Sequence, residues 1–268
     1  MKYVADHDLH IHSHLSLCSN DPEQSVENIL AYGESNGFST LCITDHYWDS
    51  SVPMYDPDFG FYKPQNFEHI AENLPLPQGR RTRFLFGCET DLDYALTLGI
   101  PESRFDDFDF IIIPTTHMHM NGFTVRGDEG VAERAELWKK RLRTVLEMKL
   151  PFEKVGIAHL TCPLTYNDGK DGALRVFDAI SDSEYRELFK LAADRRVGIE
   201  LNFNALDHDS AWLEHVLRPY RIAKAEGCLF YFGSDAHHPK ELERKKENFE
   251  KLIDLLDLDE RDKFLPRR

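Results

Sequence analysis

Two histidines near the start of the sequence, His10 and His12, are separated by a single residue. They follow a short apolar run, and side chains two residues apart on a β-strand point to the same side. Imidazole is the commonest neutral nitrogen ligand for transition metals, so this spacing could place two ligands side by side. A polar strand end with solvated histidines explains the same spacing equally well. The pair therefore indicates a metal site only if the rest of the chain supplies more ligands.

Metal-competent side chains also follow most of the other short apolar runs of the chain. The runs at 40–43, 84–88, 108–113, 155–158 and 228–232 are followed by His46, Glu89, His117, His159, and the pair Asp235 and His237. The run at 197–201 is followed instead by Asn202 and Asn204. Unrelated histidines would not recur where apolar runs end, so the pattern predicts a multinuclear metal centre. Many imidazoles with two carboxylates favour zinc, manganese or iron over calcium or magnesium.

The apolar runs alternate with amphipathic segments that have helical spacing. One segment carries Trp138, Leu142 and Val145 on one face, and another begins with a capping box at Ser181 and Glu184. Strands that alternate with helices form parallel sheets, and seven such units without a change in composition favour one barrel over two domains. We therefore predict an α/β fold, a TIM-like (β/α)7 barrel that occupies residues 1–268 as a single domain. In such barrels the functional side chains lie at the carboxyl ends of the strands.

Three further segments lead to local predictions. Asp21, followed by Pro22 and with Gln24 three residues on, predicts the start of a helix that ends at Gly37. The segment 47–83 is rich in aromatic residues and proline, and one short helix is expected near 67–73. This loop insertion is either a cover for a binding site or a surface loop held by its own aromatics. The charged tail from Asp257 is expected to fray.

The composition restricts the class of protein and its partners. The chain of 268 residues is 41% hydrophobic and 29% charged, which is typical of a globular protein in water. No apolar run approaches the ~20 residues of a membrane-spanning helix. The net charge of −15 opposes nonspecific binding to nucleic acid, although cations could still recruit an anionic substrate. Five cysteines without a Cys-x-x-Cys pair suggest reduced thiols and a cytoplasmic location.

The ligand-bearing segments, taken in order, resemble the successive motifs of the polymerase and histidinol phosphatase (PHP) family. The matching segments are Asp8-Leu-His-Ile-His-Ser, Ile43-Thr-Asp-His, Gly87-Cys-Glu, Thr116-His, Ala158-His and Gly233-Ser-Asp-Ala-His. Each motif is common by itself, but the ordered set across residues 8 to 237 is specific. The resemblance implies a distorted seven-stranded barrel and a metal-dependent phosphoesterase with two or three divalent ions.

The resemblance also implies how the ligands are shared among the ions. The implied sets are His10, His12, Glu89 and Asp235; Glu89, His117 and His159; and His46 with His237. Glu89 would therefore bridge two ions. The family supplies a further ligand to the last set at a position that falls here near Leu17 and Cys18. The Cys18 thiolate could fill it, and so could Asp21, for which a helix cap is at least as good an explanation.

Residues that would bind the substrate are less marked in the sequence. A guanidinium is the natural partner of a phosphate group, and Arg126, in a loop with glycine beside it, is the first candidate. Arg80 and Arg81 are the second choice. Asn202 could bind substrate or could satisfy local backbone groups.

The remaining polar residues near the motifs have weaker predicted roles. His119 competes with His117 as a ligand, but the apolar run followed by Thr-Thr-His favours His117. Asp45 could orient His46 or cap a turn. Several other histidines fit solvated or helix-face positions: His7, His69, His208 and His215.

These residues predict hydrolysis of a small phosphate monoester by a metal-activated hydroxide. Glu89, Asp235 and His237 are the catalytic candidates, and Asp235 or His237 could relay a proton to the leaving group. The long aromatic segment and the chain length resemble the histidinol phosphatase branch, so histidinol phosphate is the leading specific substrate. The alternatives are a 3′–5′ exonuclease or nucleotide phosphoesterase of the same family, and a non-catalytic metal-binding module.

Overall fold

A computed structural model describes residues 1–166, 169–202 and 210–267 of the chain. Within these ranges seven strands form one parallel sheet, and each strand pairs with the next in chain order. The strands are β1 (His7–Ile11), β2 (Thr40–Ile43), β3 (Arg83–Glu89), β4 (Phe110–Pro114), β5 (Val155–Ala158), β6 (Gly198–Leu201) and β7 (Leu229–Phe232). The prediction of a single TIM-like (β/α)7 barrel is confirmed.

The barrel closes where the carboxyl end of β1 meets the segment after β7. The backbone N–H of Asp235 donates to the His10 carbonyl over 2.7 Å, and the N–H of His12 donates to the Ala236 carbonyl over 3.1 Å. The buried side-chain amide of Gln24 donates to the carbonyls of both His12 and Ala236. The closure therefore brings together predicted ligands from the first and last strands.

Helices cover the outer face of this sheet. They are α1 (Val26–Asn36), α2 (Phe67–Ile70), α3 (Val131–Glu147), α4 (Gly169–Asp178), α5 (Asp182–Arg195), α6 (Ser210–Ala225) and α7 (Lys245–Leu256). α5 begins with the expected capping box, in which the Glu184 carboxylate accepts the Ser181 N–H over 2.8 Å. α3 buries Trp138, whose indole N–H donates to the Leu160 carbonyl after β5. None of the helices in the described ranges has the length and hydropathy needed to cross a membrane.

The first helix begins later than the sequence predicted. α1 starts at Val26 with Ser25 as its cap, whereas Asp21 accepts the Glu23 N–H in the preceding turn. The prediction was wrong because Asp21 and Ser25 are both good capping residues. The Gln24 side chain, which would complete an earlier capping box, is instead buried at the barrel closure.

The interior of the barrel holds large side chains that face glycines on neighbouring strands. Phe110 and Tyr231 meet edge to face, with ring centroids 5.1 Å apart. A Cβ at Gly156 would lie 2.6 Å from atoms of both side chains, and a Cβ at Gly198 would lie 2.7 Å from the Phe264 ring. Because protein interiors are close-packed, these strands need glycine where the rings approach.

The tail after α7 is part of the core rather than frayed. Leu258 and Phe264 are both buried, and the Phe264 N–H donates to the Phe230 carbonyl of β7 over 2.7 Å. The expectation of a frayed tail was wrong because apolar residues alternate with its charges. Phe264 packs against Phe110 and Tyr231, so the tail fills the barrel interior from the end away from the predicted ligands.

The aromatic segment 47–83 borders the carboxyl ends of the strands. It contains α2 and a 3₁₀ turn at Ala71–Asn73, which confirms the short helix predicted there. Trp48 and Tyr62 are buried together with Met120 and Phe123 from the loop after β4. The segment is therefore held by its own aromatics, and it also lines the cavity described below.

Candidate metal centre

The carboxyl ends of the strands border a cavity of about 380 Å³. Glu89 is the last residue of β3, and other predicted ligands follow the ends of β2, β4, β5 and β7 within a few residues. The residues that line the cavity are Cys18, His46, Phe59, Phe61, Tyr62, Glu89, His117, His119, Met120, Leu164, Asp235 and His237. His10, His12 and His159 are buried next to this lining.

Glu89 lies at the centre of the histidines. Its Oε1 is 3.5 Å from His10 Nε2 and 3.4 Å from His159 Nε2. Its Oε2 is 2.9 Å from His46 Nδ1 and 3.4 Å from His12 Nε2. Both oxygens are buried, and neither has a hydrogen-bond partner among the described residues. A buried carboxylate that is surrounded by imidazole nitrogens but lacks a hydrogen bond is the environment expected of a metal-bridging ligand.

The ligand atoms fall into three groups, within each of which all atoms lie within 4.8 Å of one another. The groups are His10, His12 and Glu89; Glu89, His117 and His159; and His12, His46 and His237. Asp235 borders the first group, because its Oδ1 is 3.3 Å from His10 Nε2 and 3.2 Å from His12 Nε2. The structure therefore brings all the predicted metal ligands into one cluster.

The third group differs from the set that the resemblance implied. His12, rather than Cys18 or Asp21, completes it with the histidines after β2 and β7. Cys18 lines the cavity but is not within this group. Asp21 is not part of the cavity lining, and its carboxylate is 3.8 Å from the half-exposed ring of His238.

Hydrogen bonds on the far side of the rings orient four of the imidazoles toward the cluster. The Nδ1 atoms of these rings pair over 2.6 to 2.9 Å as His10 with Glu200, His12 with Ser16, His117 with Asp91, and His159 with Thr116. When Nδ1 is the donor, Nε2 carries the lone pair that a metal ion needs. Both His159 Nε2 and His46 Nδ1 are buried, and the described part of the chain offers neither of them a hydrogen-bond partner. This donor set and its unpaired acceptors fit divalent transition-metal ions.

The electrostatics of the cluster favour bound positive charge. Burial lowers the pKa of His12, but the nearby carboxylates of Asp235 and Glu89 outweigh it and raise that pKa to about 9. Although burial raises it, the surrounding histidines, His46 foremost, bring the pKa of the Glu89 carboxyl well below its ordinary value. Burial and the neighbouring His12 lower the pKa of His237 to about 3. The carboxylates therefore stay ionised and attract cations, whether protons or metal ions.

Two buried acids that the sequence did not single out hold ligands in place. Glu200 lies inside β6, 2.6 Å from His10 Nδ1, and its other oxygen accepts the His159 N–H over 2.8 Å. Asp91 accepts from His117 Nδ1 and from the Tyr62 hydroxyl. A charged residue within the apolar run 197–201 was the available signal for Glu200. Asp91 has no comparable signal, because its role depends on contacts with side chains of two other segments.

Two of the predicted ligands occupy the left-handed region of backbone space. The φ angle is 30° at His159 and 51° at Asp235. Residues other than glycine pay about 1–3 kcal/mol in such conformations, which are common at functional sites. Here the N–H of His159 donates to Glu200, and the N–H of Asp235 donates to the His10 carbonyl. These bonds hold both side chains at the strand ends despite the strain.

The residues predicted to bind phosphate do not reach the cavity lining. Arg126 is half exposed, and its guanidinium donates to an aspartate two residues on. Arg80 and Arg81 precede β3, so they lie toward the opposite end of the barrel. Asn202 is partly buried after β6 but is not part of the lining, and Asn204 lies outside the described residues. Glycines beside Arg126 marked a loop, but that loop directs the side chain toward solvent.

Two other residues near the motifs have clear positions. Asp45 accepts the N–H and hydroxyl of Ser13 and the hydroxyl of Ser16, so it caps the loop after β1 rather than orienting His46. His119 lines the cavity, and its ring lies edge to face with His117 at a centroid distance of 5.3 Å.

A comparison with known protein families tests the resemblance that the order of these ligands suggested. The model of the PHP domain family matches residues 8–266. The chain belongs to the PHP domain family. The resemblance inferred from the motif order is therefore confirmed, and together with the three ligand groups it supports a metal-dependent hydrolase.

Two solved structures are similar to this PHP domain over nearly its whole length. Histidinol phosphate phosphatase from Lactococcus lactis, crystallised with zinc, L-histidinol and phosphate, aligns with a TM-score of 0.58 at 18% identity and covers 95% of this chain and 94% of its own. A probable 2-pyrone-4,6-dicarboxylic acid hydrolase from Acinetobacter baumannii, with citric acid bound, aligns with a TM-score of 0.48 at 13% identity, covering 97% and 94%. The first similarity shows a shared fold. A comparison with curated protein sequences finds no match.

Proposed function

We propose that this PHP domain is a metal-dependent phosphatase that hydrolyses a small phosphate monoester. The observation that carries the proposal is the sharing of ligands between neighbouring groups: Glu89 belongs to two of them, and His12 also belongs to two. Shared ligands allow two or three divalent ions to lie close together at one side of the cavity. Adjacent ions are the usual arrangement for phosphoryl transfer to water.

The residues of the chain would hold the ions in three sites. Glu89 would bridge two sites, and His46 with His237 would belong to the third. When bound, such ions supply a Lewis acid for the phosphoryl oxygens and lower the pKa of water to near neutrality. Asp235 and His237 line the cavity at the edge of the ligand cluster. We infer that one of them would move a proton at the leaving oxygen, and no serine or cysteine nucleophile is required.

The charges of the cavity support a strict dependence on metal. Among the described residues, its lining contains no lysine or arginine. A phosphate dianion in this cavity would therefore depend on bound cations for charge neutralisation. The lack of lysine and arginine in the described lining, together with the net charge of −15, also disfavours the nuclease alternative, because binding of a nucleic-acid backbone relies on basic side chains.

The substrate within this class is a further proposal. The aromatic segment and the similarity to a histidinol phosphate phosphatase of low identity make histidinol phosphate the first specific compound to test. Zinc in that structure, and the imidazole-rich ligand set here, make zinc, manganese and iron the metals of choice.

The decisive experiment offers metal-loaded protein a panel of phosphate monoesters that includes histidinol phosphate. We expect release of inorganic phosphate that depends on added Mn²⁺ or Zn²⁺ and is abolished by chelator. Glu89→Gln should reduce the rate at least a hundredfold, whereas Glu187→Gln, an exposed glutamate paired with Arg143 on the helical surface, should not. Bound metal without hydrolysis of any monoester would overturn the proposal in favour of the non-catalytic module. Hydrolysis confined to nucleic-acid 3′ ends would favour the nuclease.

A further inference from the structure

Several residues that line the cavity beside the metal ligands are large and apolar. They are Phe59, Phe61, Met120 and Leu164, which we call the apolar wall. Phe61 lies edge to face with His46, at a centroid distance of 5.1 Å. The wall therefore begins directly beside the ligand cluster, where the part of a substrate next to the reacting phosphorus would lie.

A buried aromatic cluster supports this wall from behind. Phe59 stacks on Phe123 with ring centroids 4.2 Å apart and planes inclined by 7°, and Trp48 packs against Phe123 at 5.3 Å. The hydroxyl of Tyr62 donates to Asp91, so Tyr62 presents its ring rather than a polar group to the cavity. The wall is consequently preformed, which reduces the entropy lost when a ligand packs against it.

The acidic groups that line the cavity are limited to the ligand cluster. Among the described lining residues the only carboxylates are those of Glu89 and Asp235. Both lie within 3.5 Å of imidazole nitrogens and are engaged with that cluster. A positively charged group on the substrate would therefore meet the metal ions and imidazoles but no free carboxylate from these residues. Burying a charge without a partner is costly, so the lining favours an uncharged occupant.

We propose that the apolar wall binds the alcohol portion of the phosphate ester and that this portion is an uncharged, ring-bearing group. The inference rests on the proposed phosphatase function, and it departs from histidinol phosphate, whose amino group is protonated at neutral pH. A cavity of about 380 Å³ can hold one ring on a short linker. In the reaction, the P–O bond to the alcohol breaks, the oxygen of water joins phosphorus, and a proton from that water goes to the alcohol oxygen.

Three esters of primary alcohols separate the effect of the ring from that of charge. They are 2-phenylethyl phosphate, phosphoethanolamine and histidinol phosphate, each given to the full-length protein loaded with Mn²⁺. We expect kcat/KM for 2-phenylethyl phosphate to exceed that for either amino ester at least tenfold, which corresponds to ~1.4 kcal/mol. Equal values, or a preference for an amino ester, would overturn the inference and leave the phosphatase function standing.

Variants of the wall connect this preference to particular side chains. Phe61→Ala should reduce the ratio of the two kcat/KM values, phenylethyl over aminoethyl, at least fivefold. Leu164→Ser changes a side chain that is 45% exposed, so it should fold normally and should lower the same ratio. Tyr55→Ala is the matched control, because Tyr55 is an exposed ring of the same segment that packs against Tyr94 outside the cavity. An unchanged ratio in both wall variants would contradict the inference.

A binding measurement separates recognition from turnover. Calorimetry with 3-phenylpropylphosphonate and 3-aminopropylphosphonate compares the same two groups on ligands that cannot be hydrolysed. We expect at least tenfold tighter binding of the phenyl compound, and equal or weaker binding would overturn the inference. If metal-loaded protein leaves all three esters intact but hydrolyses another monoester of the wider panel, the inference about the substrate fails and the phosphatase function stands.

Discussion

Replacement of Glu200 by glutamine tests the support of the metal ligands most sharply. Glu200 is fully buried, and its two oxygens accept from His10 Nδ1 and from the His159 N–H. A glutamine side chain has one oxygen and one NH₂ group, so it can satisfy only one of these donors. If the amide oxygen faces His10, the NH₂ group opposes the His159 N–H. If the amide is reversed, His10 must carry its proton on Nε2, which removes the lone pair aimed at the metal site.

Either orientation therefore loses one hydrogen bond of the charged carboxylate. Hydrogen bonds to charged groups contribute about 1.5–3 kcal/mol, and loss of a carboxylate that orients a metal-binding histidine typically costs about 10–100-fold in metal affinity. We expect Glu200→Gln to weaken binding of Zn²⁺ or Mn²⁺ within that range. Competition with a chromophoric chelator measures this affinity directly.

The control for this experiment is Glu187→Gln, which replaces an exposed glutamate that pairs with Arg143. Exposed ion pairs contribute little to stability, so this variant should bind metal like the original protein. Circular dichroism of both metal-free proteins checks that they are folded. A folded Glu200→Gln variant that binds metal within twofold of the original would refute the role assigned to Glu200.

Three further outcomes follow from other parts of the structure. Phe264→Ala removes a buried ring from the barrel interior and should lower the free energy of unfolding by about 3–4 kcal/mol, measured by urea denaturation of the metal-free protein, while leaving metal stoichiometry unchanged. Burial lowers the pKa of His7, whose Nε2 accepts the Phe232 N–H, so the contribution of His7 to stability is complete above the unfolded pKa of 6.5 and is lost as the pH falls below 6.5. Below pH 6.5, His7→Asn should therefore reduce the slope of the unfolding free energy against pH by up to ~1.4 kcal/mol per pH unit. An unchanged slope would contradict this expectation. Removal of metal with EDTA should lower the melting temperature, because ions at a thousand times their Kd stabilise the native state by about 4 kcal/mol. An unchanged melting temperature would mean that the native protein does not bind the ions.

The sequence predicts those features that depend on chain order and local spacing. The alternation of apolar runs and helical segments was sufficient for the barrel, because parallel strands with helical crossovers have few compact arrangements. The positions of His46, Glu89 and His159 at or within three residues of the ends of apolar runs were enough to place them at one rim. These are properties of single segments, and the fold brings the segments together in a known way.

The sequence fails where a role depends on a contact between distant segments. His7 was expected in solvent, yet it is buried and accepts the Phe232 N–H, from a residue far away in the chain. The contact of Glu200 with His10 likewise connects the sixth and first strands. Arg126 shows the opposite case, since a local signal suggested a phosphate ligand but the loop turns its side chain toward an aspartate at the surface.

The most direct test of the multinuclear centre is the number of divalent ions bound per chain, measured by elemental analysis after removal of loosely bound metal. The three ligand groups that share Glu89 and His12 lead us to expect at least two ions in the original protein. Glu89→Gln should lose at least one of them, because Glu89 contributes to two groups. No tightly bound ion in the original protein, or the same number of ions in the Glu89→Gln variant, would contradict the proposed centre.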